Sequence, residues 1–133
     1  IRHAQAFVEG VEQDPARAVD LGAGGGLPGL VLATLAWPSC RWTFLDAQQK
    51  RTSFLETAVT ALGLDERVEV VTERAEVFGR DDAHRGTYDL VVARPWLPSV
   101  PLPCSARVVD WSSASHHQVP MSGGRLRPLA KWA

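Results

Sequence analysis

A chain that runs Asp20-Leu21-Gly22-Ala23-Gly24-Gly25-Gly26-Leu27-Pro28-Gly29 has few folds open to it. Ala18, Val19 and Leu21 form an apolar run that carries a carboxylate, Asp20, near its end. Glycines then let the backbone turn sharply off a strand, and they let a ligand approach the main chain with no Cβ in the way. Pro28 suits the first turn of a helix, where an N–H would lack a partner in any case. The next apolar run, Trp42-Thr43-Phe44-Leu45, also ends in an acid, Asp46. A glycine turn followed about 20 residues on by a strand-end carboxylate is the nucleoside-binding arrangement of doubly wound α/β domains.

Two registers of the glycine run compete. Gly24, Gly26 and Gly29 spell G-x-G-x-x-G, the dinucleotide fingerprint. Gly22, Gly24 and Gly26, with Asp20 two residues ahead, spell D-x-G-x-G-x-G, the form used for S-adenosylmethionine. Acid placement favours the second: a carboxylate at the tip of the first strand repels a pyrophosphate and suits a ligand with an amino group and a sulfonium. A dinucleotide site and a purely structural glycine loop are the alternatives.

Alternating elements surround this motif. Periodicity predicts a helix over Arg2–Val11, a strand over Ala16–Leu21 and a helix over Pro28–Trp37, stopped before Pro38. A second strand over Arg41–Leu45 leads to an amphipathic helix over Gln48–Leu62, with Phe54, Leu55, Ala58, Val59 and Leu62 on one face and Gly63 closing it. A third strand follows at Val68–Val71, a short helical turn at Ala75–Phe78 and a fourth strand at Tyr88–Ala93. Strands alternating with helices in this way imply a parallel sheet with right-handed crossovers. The 133 residues allow one domain, and the net charge of −1 gives no basic field that would mark a nucleic-acid binder. Cys40 and Cys104 are too few for a disulfide scaffold, no metal-ligand spacing occurs, and no apolar run reaches the ~20 residues of a membrane span. A cytoplasmic monomer without metal is the expectation. The chain opens at Ile1 and its one methionine is Met121, so an amino-terminal portion is expected to be missing.

The grammar changes after Arg94. Residues 95–133 hold three of the five tryptophans and six of the nine prolines without a period of 2.0 or 3.6. The domain reading is therefore a partial cofactor-binding domain over 1–94 and an irregular tail over 95–133. Native disorder and a slipped reading frame are the two explanations; a one-base shift of GC-rich codons permits a helix, a glycine turn and a strand.

Four segments carry a family resemblance: DLGAGGGLPG (20–29), FLDAQQKRTSFLE (44–56), ERAE (73–76) and DLVVAR (89–94). With these, residues 16–94 resemble the ribosomal RNA small subunit methyltransferase G family, also called glucose-inhibited division protein B. The resemblance implies a Rossmann-like class I methyltransferase core of α/β type with strands 1–4 present. It implies S-adenosylmethionine as cofactor and small-subunit ribosomal RNA as partner, methylated at guanine N7. Gly22 and Leu27 would then line the methionine and ribose side of the donor through their backbone, Asp46 would hold the ribose hydroxyls, and Ala75 and Glu76 would flank the adenine. Asp20, Gly24 and Gly26 complete the expected cofactor-binding set. Arg94 would sit beside the transferred methyl group, as the catalytic residue and as a cofactor contact.

Guanine N7 has an exposed lone pair and needs no deprotonation, so alignment of nucleophile, methyl and sulfur is the main demand. Other readings stand beside this one. Lys50 and Arg51 are either phosphate contacts or a solvated first helical turn. Glu76 is otherwise a cap, and Arg94 a surface arginine. At the level of the whole chain, the alternatives are methylation of a small molecule and an inactive cofactor-binding fragment.

Overall fold

The computed structural model describes residue 11, residues 13–93, and the backbone of 107–110, 115–118 and 127–131. The helix expected over Arg2–Val11 falls outside this set except for Val11, which packs against the core. Among the described residues seven strands form one sheet: β1 (Arg17–Leu21), β2 (Arg41–Asp46), β3 (Val68–Thr72), β4 (Leu90–Ala93), β5 (Arg107–Asp110), β6 (Ser115–Gln118) and β7 (Arg127–Lys131). Their order is β3-β2-β1-β4-β5-β6-β7. Pairing is parallel from β3 through β5 and antiparallel from β5 to β7. β1 lies inside the sheet because the chain goes outward to β2 and β3 and then returns to lay β4 on its other side, which creates a topological switch point.

The three strands beyond β4 correct the reading of 95–133 as irregular. Arg107–Asp110 holds only two β-branched residues, and Ser115–Gln118 and Arg127–Lys131 show no alternation. Their pairing comes from main-chain groups of the neighbouring strand, which local periodicity does not report. Pro128 fits its place because β7 is an edge strand, where a missing N–H is tolerated.

Residues two apart on each strand face the same side. On one side Ala18, Trp42, Phe44, Leu90 and Val92 pack with Leu32, Leu55 and Val59 from the helices. Trp37 and Trp42 stack there with centroids 6.3 Å apart, and Trp42 tilts against Phe44 at 5.8 Å. On the other side Val19, Leu21, Leu45, Val91 and Ala93 pack with Ala75, Phe78 and Tyr88.

Helices α1 (Gly29–Val31), α2 (Gln49–Ala61) and α3 (Ala75–Phe78) connect the strands. α1 is shorter than expected, because the coil widens into a π-helical turn over Leu32–Ala36, closed by the Trp37 N–H donating to the Leu32 carbonyl at 2.9 Å. Thr34 bonds its hydroxyl to the Leu30 carbonyl at 2.7 Å within this turn, a contact that perturbs regular helix. On α2 the buried residues are Thr52, Leu55 and Val59, whereas Phe54 and Leu62, expected on the inner face, are about half exposed. Gly63 (φ +68°) ends α2 as expected, its N–H donating to the Thr60 carbonyl. Among the described residues no helix is long and apolar enough to cross a membrane.

Cys40 is buried beneath Trp37, and burial together with the Asp89 charge pushes its thiol up from 9.0 to about 12. The folded chain therefore keeps a proton that the unfolded chain loses near pH 9.0, and the stability this supplies, intact below that pH, disappears as pH rises toward about 12. In a Cys104→Ser background, a thiol reagent in mildly alkaline buffer should label unfolded protein at least about tenfold faster than native protein. Equal rates would place Cys40 at the surface.

Candidate functional site

The turn after β1 is built from backbone that side chains resist. Gly22, Gly24 and Gly26 have φ of +75°, +53° and +85°, the left-handed region that glycine alone enters freely. These are the three glycines of the D-x-G-x-G-x-G register. Gly22 and Ala23 both donate their N–H to the Leu45 carbonyl, at 2.8 and 2.9 Å, so the turn stays tied to β2 as it leaves β1. Gly29 serves differently. A Cβ at that position would fall 2.5 Å from Asp20 Oδ2 and 2.8 Å from Phe44 Cε1. α1 therefore rests on β1 and β2 through a gap that only glycine leaves open.

Asp46 ends β2 with its side chain only 5% exposed. Its Oδ2 accepts the Gly24 N–H at 3.0 Å and its Oδ1 accepts the Gln48 N–H at 2.9 Å. Bonds from amides to a carboxylate are charge-assisted and stronger than neutral ones. Arg51 Nη1 stands 3.6 Å from Oδ2 on a half-exposed arm. The Asp46 carbonyl accepts the Glu73 N–H at 3.1 Å, which binds the exit of β3 to the same residue. A carboxylate oxygen has two acceptor positions, so one on each remains after the backbone bonds.

A cleft of about 580 Å³ opens at the carboxyl ends of β1, β2 and β3. Gly22, Leu45 and Asp46 reach it from the strand ends, Gln48 and Arg51 from the start of α2, and residues 73–76 from the turn into α3. Of the residues singled out in the sequence, it gathers Gly22, Asp46, Arg51, Ala75 and Glu76. Gly24, Gly26, Leu27 and Asp20 stand elsewhere: Gly24 donates to Asp46, Gly26 packs on Leu30, and Leu27 is exposed. Asp20 is buried against Gly29. Asp20 and Asp46 nonetheless share one end and one face of adjacent strands, since Asp20 registers with Phe44, two residues before Asp46. Arg94 lies outside the described residues. Gln48, Glu73 and Arg74 were not singled out, although each lies within two residues of a strand's carboxyl end, where open α/β sheets bind ligands. A second cleft of about 410 Å³ sits at the opposite end of β1–β3, where Arg17, Arg41 and Arg67 are balanced by Asp65, Glu66 and Glu69.

Comparison with known proteins places this geometry. The family described as rRNA small subunit methyltransferase G matches residues 3–102. The ribosomal RNA small subunit methyltransferase G of Prochlorococcus marinus (strain MIT 9313) is 48% identical over 82 residues, which is 62% of this chain and 33% of that protein. The enzyme of the same name from Synechococcus sp. (strain CC9311) is 46% identical over 78 residues, 59% of this chain and 30% of its own length. The chain thus spans about a third of the length of the curated relatives it matches. Among solved structures, a SAM-dependent methyltransferase from Agrobacterium tumefaciens superposes with a TM-score of 0.54 at 24% identity, over 71% of this chain and 29% of that one. A coclaurine N-methyltransferase bound to N-methylheliamine and SAH superposes with a TM-score of 0.62 at 18% identity, over 80% of this chain and 34% of that one. Both establish the Rossmann-like class I methyltransferase fold.

The close approach at Gly29 is testable against Gly25, where a Cβ would meet nothing within 4 Å. Gly29→Ala should lower stability in urea unfolding by about 1–3 kcal/mol, the usual range for overpacking, while Gly25→Ala stays near wild type. Equal midpoints for the two variants would contradict the packing described.

Proposed function

Because the chain belongs to the rRNA small subunit methyltransferase G family, we propose that its cleft binds S-adenosylmethionine for methyl transfer to guanine N7 of small-subunit ribosomal RNA. The observation that supports this most is Asp46, a buried carboxylate pinned by Gly24 and Gln48 at the edge of a cleft whose other side is residues 73–76. The residues fit the donor. The cleft lies within the ~300–1,000 Å³ of small-molecule sites. Gly22 lines it without a Cβ, and Asp46 retains acceptor capacity for a pair of ribose hydroxyls.

On this reading Ala75 and Glu76 flank the adenine, with Glu76 or main chain beside it meeting the amino edge. Gly24 and Gly26 shape the loop, Leu27 lies along the methionine side through its backbone, and Asp20 supplies negative charge beneath the loop, which suits a cationic ligand. When bound, the donor supplies a sulfonium methyl group as electrophile. The chain's own task is to hold donor and base in line, and alignment of this kind is worth about 7–11 kcal/mol in favourable cases. Arg94, which follows Ala93 in the chain, hydrogen-bonds the guanine or a phosphate as positive charge moves onto the base. The enzyme acts as a cytoplasmic monomer.

Asp46→Ala should weaken S-adenosylmethionine binding about 10- to 100-fold in calorimetry, the equivalent of a charge-assisted hydrogen bond of about 1.5–3 kcal/mol. Wild-type protein should bind the donor in preference to NAD. Unchanged affinity in the variant would remove Asp46 from the site, and preference for NAD would restore the dinucleotide reading. Tritiated-methyl transfer to unmethylated small ribosomal subunits tests the RNA assignment.

A further inference from the structure

α2 and β3 meet beside the cleft through two hydroxyls. Thr52 is 2% exposed, and its Oγ1 lies 2.7 Å from Thr72 Oγ1 and 3.1 Å from the Gln49 carbonyl oxygen. A hydroxyl has one proton to give, so one arrangement satisfies both contacts: Thr72 donates to Thr52, and Thr52 donates to Gln49. Thr52 shares the buried stripe of α2 with Leu55 and Val59. Valine would fill nearly the same volume at that position, so what the hydroxyl adds is the bond.

The bond lies where the two sides of the cleft originate. Thr72 is the last residue of β3 and the register partner of Asp46. Glu73, next in the chain, donates to the Asp46 carbonyl, and Arg74 then takes the position before the first turn of α3. Among the described residues β3 is an edge strand, and its carboxyl end is held by β2 and α2. The first turns of α2 are gripped twice, at Gln48 by the Asp46 carboxylate and at Thr52 by Thr72.

We propose that Thr52 and Thr72 are positioning residues that fix the spacing between the Asp46 side of the cleft and the 73–76 side, and so set affinity for the adenosine part of the ligand. This rests on the adenosyl reading of the cleft. Thr60 provides a control, because its hydroxyl bonds Asp65 Oδ1 at 2.7 Å and ties the far end of α2 to the turn before β3.

Calorimetry with adenosine and with S-adenosylhomocysteine tests the assignment. Thr72→Val and Thr52→Val should each weaken both ligands by the same factor, about three- to tenfold, the scale of one hydrogen bond. Thr72→Ser should restore wild-type affinity, and the double valine variant should lose no more than either single one. Thr60→Val should leave both affinities at the wild-type value. Thr72 is exposed, so its valine variant leaves the core packing in place. Wild-type protein that binds both ligands, with Thr72→Val binding equally well, overturns the assignment alone, as does an equal loss in Thr60→Val. Wild-type protein that binds neither ligand overturns the adenosyl reading and this assignment with it.

Discussion

The Asp46 carboxylate is the point on which the cleft depends. A buried charge is costly unless its oxygens are paired, and Asp46 finds its partners in the main chain of two different loops. The glycine turn must therefore present the Gly24 N–H, which requires left-handed backbone at Gly22, Gly24 and Gly26. The start of α2 must present the Gln48 N–H from the other direction. Neither loop is placed independently of the other. The Glu73 N–H adds the third strand to the same residue through the Asp46 carbonyl.

A second carboxylate does comparable work at the other end of β1. Asp89 Oδ2 accepts the N–H groups of Ala16 and Arg17 at 2.9 and 3.0 Å, which ties the approach to β4 to the start of β1. The start of β1 and the turn that follows it are thus fastened by acids from the chain on either side. Arg67 fastens β3 in the same region, donating to the Ala33 and Cys40 carbonyls. With the strands fixed in register, carboxyl ends collect on one side, and that side holds the cleft. The aromatic residues Trp37, Trp42 and Phe44 pack against one another on one face of the sheet.

The sequence made the central fold legible because three strands there, β1, β2 and β4, are buried on both faces and read as largely apolar runs. Asp46 was recognisable from its distance to the glycine run, and in the fold it accepts the Gly24 N–H of that run. Gly29 was assigned to a competing motif, yet its physical reason, the approach of Asp20 and Phe44, is a matter of packing that no local pattern encodes. The same holds for Phe54 and Leu62, which helical spacing put inward while the true stripe runs through Thr52, a polar residue that hydropathy discounts. β5, β6 and β7 escaped notice because their strand character comes from the neighbour and not from composition. Gln48, Glu73 and Arg74 were legible in position but not in type, since any residue beyond a strand end can reach the cleft.

Backbone amide chemical shifts test the central claim most directly. Titrating isotopically labelled protein with S-adenosylhomocysteine should move the amides of Gly22, Gly24, Gln48 and Ala75 together with a single affinity, and should leave those of Arg41, Arg67 and Glu69 at the far end of the sheet in place. Shifts confined to the far end, or none at all around Asp46 at saturating ligand, would contradict it.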